Sequence, residues 1–165
     1  MVALVARRGR DLQRYNDQGH RLVVGCIPYR LKVDNPRRDE IGQALQVLII
    51  SSQKGHDIMF PKGGWESDET IEGAASREAV EEAGVMGHIE GQLGMWVFKS
   101  KTKDSCKEGY MFPMRVTMEL HAWPEKSSRR RLWVSVAEVQ KSCKQQWMKE
   151  ALDKLVEQLL ARSSR

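Results

Sequence analysis

The chain has 165 residues, 41% of them hydrophobic and 30% charged, which suits one domain with its own core. No apolar run approaches the roughly 20 residues that a bilayer span needs, so a membrane-embedded role is excluded and a soluble protein is expected. Cys26, Cys106 and Cys143 are odd in number and lack CxxC spacing, and the four histidines are scattered; reduced thiols are expected, and a zinc site is argued against.

The N-terminal "MVALVARRGR" has arginines but no serine and no long apolar stretch. That excludes a secretory signal and leaves an organellar transit peptide open. Apolar, β-branched and aromatic runs predict strands at 21–30, 44–53, 91–100, 111–123 and 130–136. "DNPRRDEIGQ" (34–43) reads as a loop. One helix is predicted over 70–83 and a second over 144–161, where Trp147, Ala151, Leu152, Leu155, Val156, Leu159 and Leu160 form a stripe. A core function explains that stripe best. Nothing repeats and no segment marks a second domain, so 1–165 reads as one unit, core 14–140 plus the last helix. The element order indicates mixed α/β, with helices packed on a sheet.

The +5 net charge is unevenly spread. Residues 1–38 carry nine Lys/Arg against three Asp/Glu, and "KSKTKDSCK" (99–107) and "KSSRRR" (126–131) add basic clusters. Residues 66–90 hold eight of the 22 acids and a single base, Arg77. An acidic pocket ringed by basic segments suits a polyanion that arrives with metal ions, although any single lysine can be plain solvated surface.

The acids concentrate in "PKGGWESDETIEGAASREAVEEAGV" (61–85). At about 100° per residue, Glu78, Glu81 and Glu82 share one side of the 70–83 helix, where like charges repel. Ala75, Ala79, Val80 and Ala83 form the side that packs on the sheet, which turns the glutamates away from the core toward a groove. Gly84 ends the helix as a left-handed cap, and Gly63 and Gly64 let the backbone approach a ligand. Carboxylates converging with no nearby lysine to offset them are what a hard divalent cation such as Mg²⁺ requires.

Gly63, Glu69, Arg77, Glu78, Glu81, Glu82, Gly84 and Val85 resemble, in register, the Nudix box Gly-x5-Glu-x7-Arg-Glu-U-x-Glu-Glu-x-Gly-U, where U is a bulky aliphatic. Ala79, where a larger residue is usual, is the one departure. "FPKGGWE", "LIISSQKGHD" and "RRRLWV" are similar to the diphosphoinositol-polyphosphate phosphohydrolase branch, and diadenosine-polyphosphate hydrolases share most of the first. The resemblance covers about residues 14–140. It implies an α/β/α sandwich with a mixed sheet, and metal-dependent hydrolysis of pyrophosphate linkages with Mg²⁺ or Mn²⁺.

Carried onto this chain, the resemblance makes Glu78 and Glu82 the main metal ligands, with the Gly63 carbonyl as a further one. Glu81 is a shared ligand or the water-activating base, and Glu119 on the 111–123 strand is a rival base, its alternative being an outward-facing strand residue. Arg77 and Glu69 are expected to pair and orient Glu78. Lys54, Lys62, Arg14, Arg21 and Arg129 to Arg131 are candidates for phosphate contacts. Trp65 and Trp96 are candidate platforms for a base, with core packing as the alternative. The expected partner is a small polyphosphorylated substrate, not a membrane or a nucleic acid. Diphosphoinositol polyphosphates lead, with diadenosine polyphosphates as further substrates. A dinucleoside-polyphosphate or nucleotide-sugar pyrophosphatase is the alternative, and a polyanion- or RNA-binding module is the non-enzymatic one. Small size alone points to the cytosol, with nuclear access.

Overall fold

A computed structural model describes residues 9, 11–100 and 105–163. The basic N-terminal decapeptide apart from Gly9, and Lys101 and Lys103 of the second basic cluster, lie outside these residues. At the centre, β1 (Arg21–Leu31) runs parallel to β7 (Cys106–Glu119), with Val24 opposite Tyr110 and Tyr29 opposite Arg115. Both strands are covered on two faces, which explains the continuous apolar run from Val23 to Ile27.

Each central strand changes partner along its length. The first half of β1 pairs with β4 (Lys62–Gly64), and its last residues pair with β2 (Leu45–Ser51). The first half of β7 pairs with β6 (Gly94–Lys99), and the second half with β5 (Val85–Ile89). The short β3 (Ile58–Met59) and β8 (Arg131–Val134) complete the mixed sheet on β2. β4 and β2 thus occupy successive stretches of β1, Val23–Gly25 and Tyr29–Leu31.

Helices cover both faces, as the α/β/α expectation requires. On one face lies α2 (Ile71–Glu78), which continues as a π turn over Ala79–Ala83. Ala74, Ala75, Ala79 and Ala83 sit against Val24, Cys26, Leu48 and Met114. Small side chains let this helix lie close to the sheet, which is the physical sense of alanine at 79. Thr70 caps its start by accepting from the Gly73 N–H, and Gly84 ends it at φ +63°. On the other face lies α4 (Gln146–Ser163), burying Trp147, Met148, Ala151, Leu152, Leu155 and Leu159. The predicted stripe is core. Truncating Leu152 or Leu155 to Ala would cost about 2–5 kcal/mol.

Several elements depart from the sequence reading, which has no strand at β3 or β4. The 34–43 loop contains a helical turn, Arg38–Glu40, running into α1 (Ile41–Ala44). Residues 136–142 form α3 (Val136–Ser142), capped by the Ser135 side chain accepting from the Glu138 N–H. β5 went unread, and β7 begins at Cys106 rather than 111. No helix among the described residues is long and apolar enough to cross a membrane.

Candidate active site

The α2 helix carries its three glutamates against β1 and β4, not into open solvent. Glu78, Glu81 and Glu82 keep only 5%, 4% and 7% of their surface exposed. The π turn begins directly after Glu78 and holds the other two glutamates, a distortion often found at functional sites. The expectation that these acids lack basic neighbours is corrected, because bases reach them from elsewhere in the chain.

Arg77 grips Glu69 with two bonds, Nε to Oε2 at 2.8 Å and Nη2 to Oε1 at 2.6 Å. Its Nη1 reaches Glu78 at 2.9 Å and Glu81 at 3.5 Å, and Nη2 also donates to the Gly64 carbonyl at 2.9 Å. One guanidinium thus ties the glycine loop to the helix. Burial opposes its charge, but Glu69, Glu78 and Glu81 more than offset that and hold Arg77 protonated. Glu82 accepts from the Lys62 backbone N–H at 3.1 Å and lies 3.6 Å from Arg129 Nη2. Arg129 also donates to Glu125 at 2.6 Å and to the Ser51 carbonyl at 3.0 Å.

The electrostatics follow from burial. It pushes Glu82 up to about 7, against the pull of Arg129 and Lys62. Burial and the adjacent Glu82 charge push Glu78 well above the usual carboxylate range. Burial pushes Lys62 down, while Glu82 and Glu78 support its charge. The site holds more negative charge than its surroundings accommodate.

The donor chemistry of the residues present suits a divalent cation, although among the described residues no three of the carboxylates stand together within reach of one ion. A Cβ added at Gly63 would stand 2.1 Å from Glu78 Oε2, so only glycine lets the loop approach that carboxylate so closely. The donors gathered there are carboxylate and carbonyl oxygens, the ligand type Mg²⁺ and Mn²⁺ prefer.

The folded, metal-free chain retains the Glu82 proton between pH 4.5 and about 7, whereas the unfolded chain releases it. Stability present below the unfolded pKa is therefore lost as pH rises through that window, by on the order of 3 kcal/mol from this group. In EDTA, Tm should fall between pH 5 and pH 8, and millimolar Mg²⁺ should raise it most at pH 8. A flat or rising Tm in EDTA, with no response to Mg²⁺, would remove the buried charge from the account.

Beside the glutamates lies a cavity of about 450 Å³ whose lining includes Lys62, Lys99, Lys107 and Arg129. Phe98 and Trp147 also line it, stacked with centroids 4.4 Å apart and planes 10° apart. The aromatic residues at this cavity are therefore Phe98 and Trp147, not the expected Trp65 and Trp96. Trp65 is instead covered by the Arg14 guanidinium at 4.2 Å, and Trp96 donates to Glu150 at 3.2 Å.

The basic candidates separate by position. Lys62 and Arg129 line the cavity, and Lys54 is exposed on the β2–β3 turn next to cavity-lining Gln53. Arg14 donates to the carbonyls of Glu66, Ser67 and Glu69, clamping the glycine loop from outside. Arg21 holds Gln13 at 2.7 Å and lies against Gly64. Arg131 stacks on Trp123 at 4.1 Å and donates to the carbonyls of Ala83, Gly84 and Leu120, so it fastens the end of the helix. Glu119 is exposed, 3.9 Å from Arg30 and outside the glutamate cluster.

Sequence reasoning missed Glu125. Its backbone N–H donates to the Glu81 carbonyl at 3.0 Å, and Gln53 donates to its side chain at 3.3 Å. The only signal was its position four residues before Arg129. Phe98 and Trp147, from unrelated elements, left none.

A model of the NUDIX domain matches residues 28–155. The chain belongs to the Nudix family. The match extends into α4, beyond the stretch where the resemblance had been traced. The chain is 57% identical over 159 residues to Nudix hydrolase 17, mitochondrial, of Arabidopsis thaliana, covering 96% of this chain and 86% of that protein. It is 32% identical over 146 residues to diphosphoinositol polyphosphate phosphohydrolase 3-alpha of Mus musculus, covering 86% and 81%. Among solved structures, a Nudix hydrolase from Nitrosomonas europaea superposes with a TM-score of 0.65 at 17% identity, covering 83% and 88%, a likeness of fold. This Nudix chain is a hydrolase of pyrophosphate linkages, and Nudix hydrolases generally use divalent metal ions.

Proposed function

We propose that this Nudix hydrolase cleaves the pyrophosphate group of diphosphoinositol polyphosphates, with diadenosine polyphosphates as further substrates. The observation that carries the reading is the cavity beside the glutamates, with Lys62, Lys99, Lys107 and Arg129 around about 450 Å³. Four cations around one small space suit phosphates crowded on a ring better than a single pyrophosphate. The mouse relative's name points the same way. The Phe98 ring on the cavity wall, backed by the buried Trp147, supports the second reading, because a nucleobase can rest on an aromatic face.

Glu78 and Glu82, with the Gly63 carbonyl, would hold Mg²⁺ or Mn²⁺. The ion, when bound, would neutralise charge on the scissile phosphates and make a bound water more acidic. Arg129 orients Glu82 and Glu125 together, and Arg77 fixes Glu78 and Glu81 against the loop. Glu81 accepts the proton of the attacking water; the rival Glu119 is the weaker choice because it is exposed beside Arg30. Lys62, Lys99 and Lys107 receive the phosphates. Arg14 and Arg131, engaged with backbone carbonyls, support the loop and the helix end instead. The cytosolic expectation finds no support in the relatives; the mitochondrial name of the Arabidopsis protein favours the organellar alternative.

Hydrolysis of diphosphoinositol polyphosphates, read as inorganic phosphate, and of diadenosine polyphosphates, NADH and ADP-ribose, read as the nucleotide products, each with Mg²⁺ and Mn²⁺, tests the substrate. The inositol compounds should give the highest kcat/KM. Lys54→Ala and Lys107→Ala should lower it by about tenfold or more per phosphate contact, with smaller losses for diadenosine substrates. Parallel losses, or no cleavage of the inositol compound, would transfer the assignment to dinucleoside polyphosphates.

A further inference from the structure

We propose that a second cavity, at the opposite end of β1, binds a phosphorylated small molecule that carries an apolar or aromatic portion. This inference does not rest on the substrate assigned above. The cavity measures about 1000 Å³ and is enclosed by the end of β1, the 32–40 connection, Arg115 of β7 and the last turn of α4. Among the described residues five arginines line it, Arg30, Arg37, Arg38, Arg115 and Arg162, and Asp34 is the one carboxylate in the lining. It lies five residues along β1 from the strand positions that pair with the glycine loop, about 16 Å away.

The arginines are anchored by part of their hydrogen-bonding capacity. Arg38 donates through Nη1 to the Leu160 carbonyl at 2.8 Å, and Arg30 through Nε to Gln46 at 2.9 Å while stacking on Trp133. Glu90, bonded by the Tyr29 hydroxyl, serves two of them at once, Arg162 at 3.2 Å and Arg115 at 3.8 Å. Asp39 and Glu40 lie 3.3 and 3.4 Å from Arg37 Nε. These acids, together with Glu119 at 3.9 Å from Arg30, pair with four of the five arginines. They stand behind or beside the arginines, and the wall of the cavity itself stays strongly basic. A guanidinium has five N–H donors and a planar fork that fits phosphate oxygens, and one already anchored loses little freedom on binding.

The interior is of another kind. Leu31, Val33 and Val116 supply accessible apolar lining, and beneath them Tyr29, Ile41 and Leu159 belong to the buried core. A basic rim over an apolar lining selects a phosphate attached to a ring or chain over free phosphate.

The test uses the full chain in EDTA, where hydrolysis is off, with ATP and inorganic tripolyphosphate as probes. Binding is read by calorimetry and by amide NMR shifts of residues 33–38 and 159–163. ATP should shift these amides, and tripolyphosphate should shift them at higher concentration because it lacks a part for the apolar lining. Arg37 and Arg115, 77% and 60% exposed, can be changed without disturbing the core. In Arg37→Gln with Arg115→Gln, affinity at this site should fall at least about tenfold. Pyrophosphate hydrolysis with Mg²⁺ and the ligand-free Tm should stay at wild-type values. Should the double variant fold poorly, Arg37→Gln alone should show a smaller loss in the same direction. ATP leaving these amides unmoved, or binding the variants as tightly as wild type, would overturn the proposal.

Discussion

Glu82→Gln should lower kcat/KM for pyrophosphate hydrolysis by about a thousandfold while leaving the fold intact. The substitution keeps shape and removes the carboxylate that a divalent ion would need. Its effect on stability should run the other way. Burial holds Glu82 at about 7, so at pH 8 the folded protein carries a charge it poorly accommodates. Removing that charge should raise the Tm of the metal-free protein at pH 8 and shrink the rise caused by Mg²⁺. Lost activity with gained apo stability is the expected mark of a strained metal site. Wild-type turnover at saturating Mg²⁺ would remove Glu82 from catalysis.

Arg77→Ala should produce the largest loss of stability. The guanidinium bonds Glu69, Glu78 and the Gly64 carbonyl and pairs with Glu81, all in a mostly buried space. Its removal leaves three carboxylates without that partner, which typically costs about 3–5 kcal/mol. For a domain of this size the Tm should drop by about 10 °C. Mg²⁺ should restore part of it by giving Glu78 and Glu81 a new counter-charge. Arg77→Lys should recover little, because an ammonium cannot reproduce the two-bond grip on Glu69. A Tm within about 2 °C of wild type for the alanine variant would show that the network is not structural.

The glycine loop and glutamate helix were legible because their function imposes local spacing. Gly63 must admit Glu78, the alanines must face the sheet, and Gly84 must close the helix at positive φ. What balances the glutamates was not legible. Arg129 reaches Glu82 from the loop before β8, 47 positions further along the chain, and Lys62 meets it only because β4 docks on β1. No spacing rule connects such positions. β5 was hidden by Gly87, which reads as a break; a Cβ there would stand 2.0 Å from the Arg115 carbonyl oxygen, at the bulge between β5 and β7. β7 starts early because Lys107 and Glu108 are polar strand residues, Lys107 lining the cavity and Glu108 accepting from Tyr110. α3 had a legible start in Ser135 and Glu138, overridden by the apolar run that precedes it.

The basic candidates teach a related lesson. Composition identified arginines near the site but not their engagements. Arg14 and Arg131 each spend their donors on three backbone carbonyls, which makes them fasteners of the loop and the helix. Lys99 and Lys107 lie on adjacent paired strands, β6 and β7, and reach the cavity together.

The most direct measurement is a ³¹P NMR time course of a diphosphoinositol polyphosphate with wild type and with Glu82→Gln, with and without Mg²⁺. With wild type and Mg²⁺, the pyrophosphate resonances should disappear as inorganic phosphate grows in equal amount. In EDTA or with Glu82→Gln they should persist. Pyrophosphate resonances that survive wild type and Mg²⁺, or that vanish as fast with Glu82→Gln, would contradict the account.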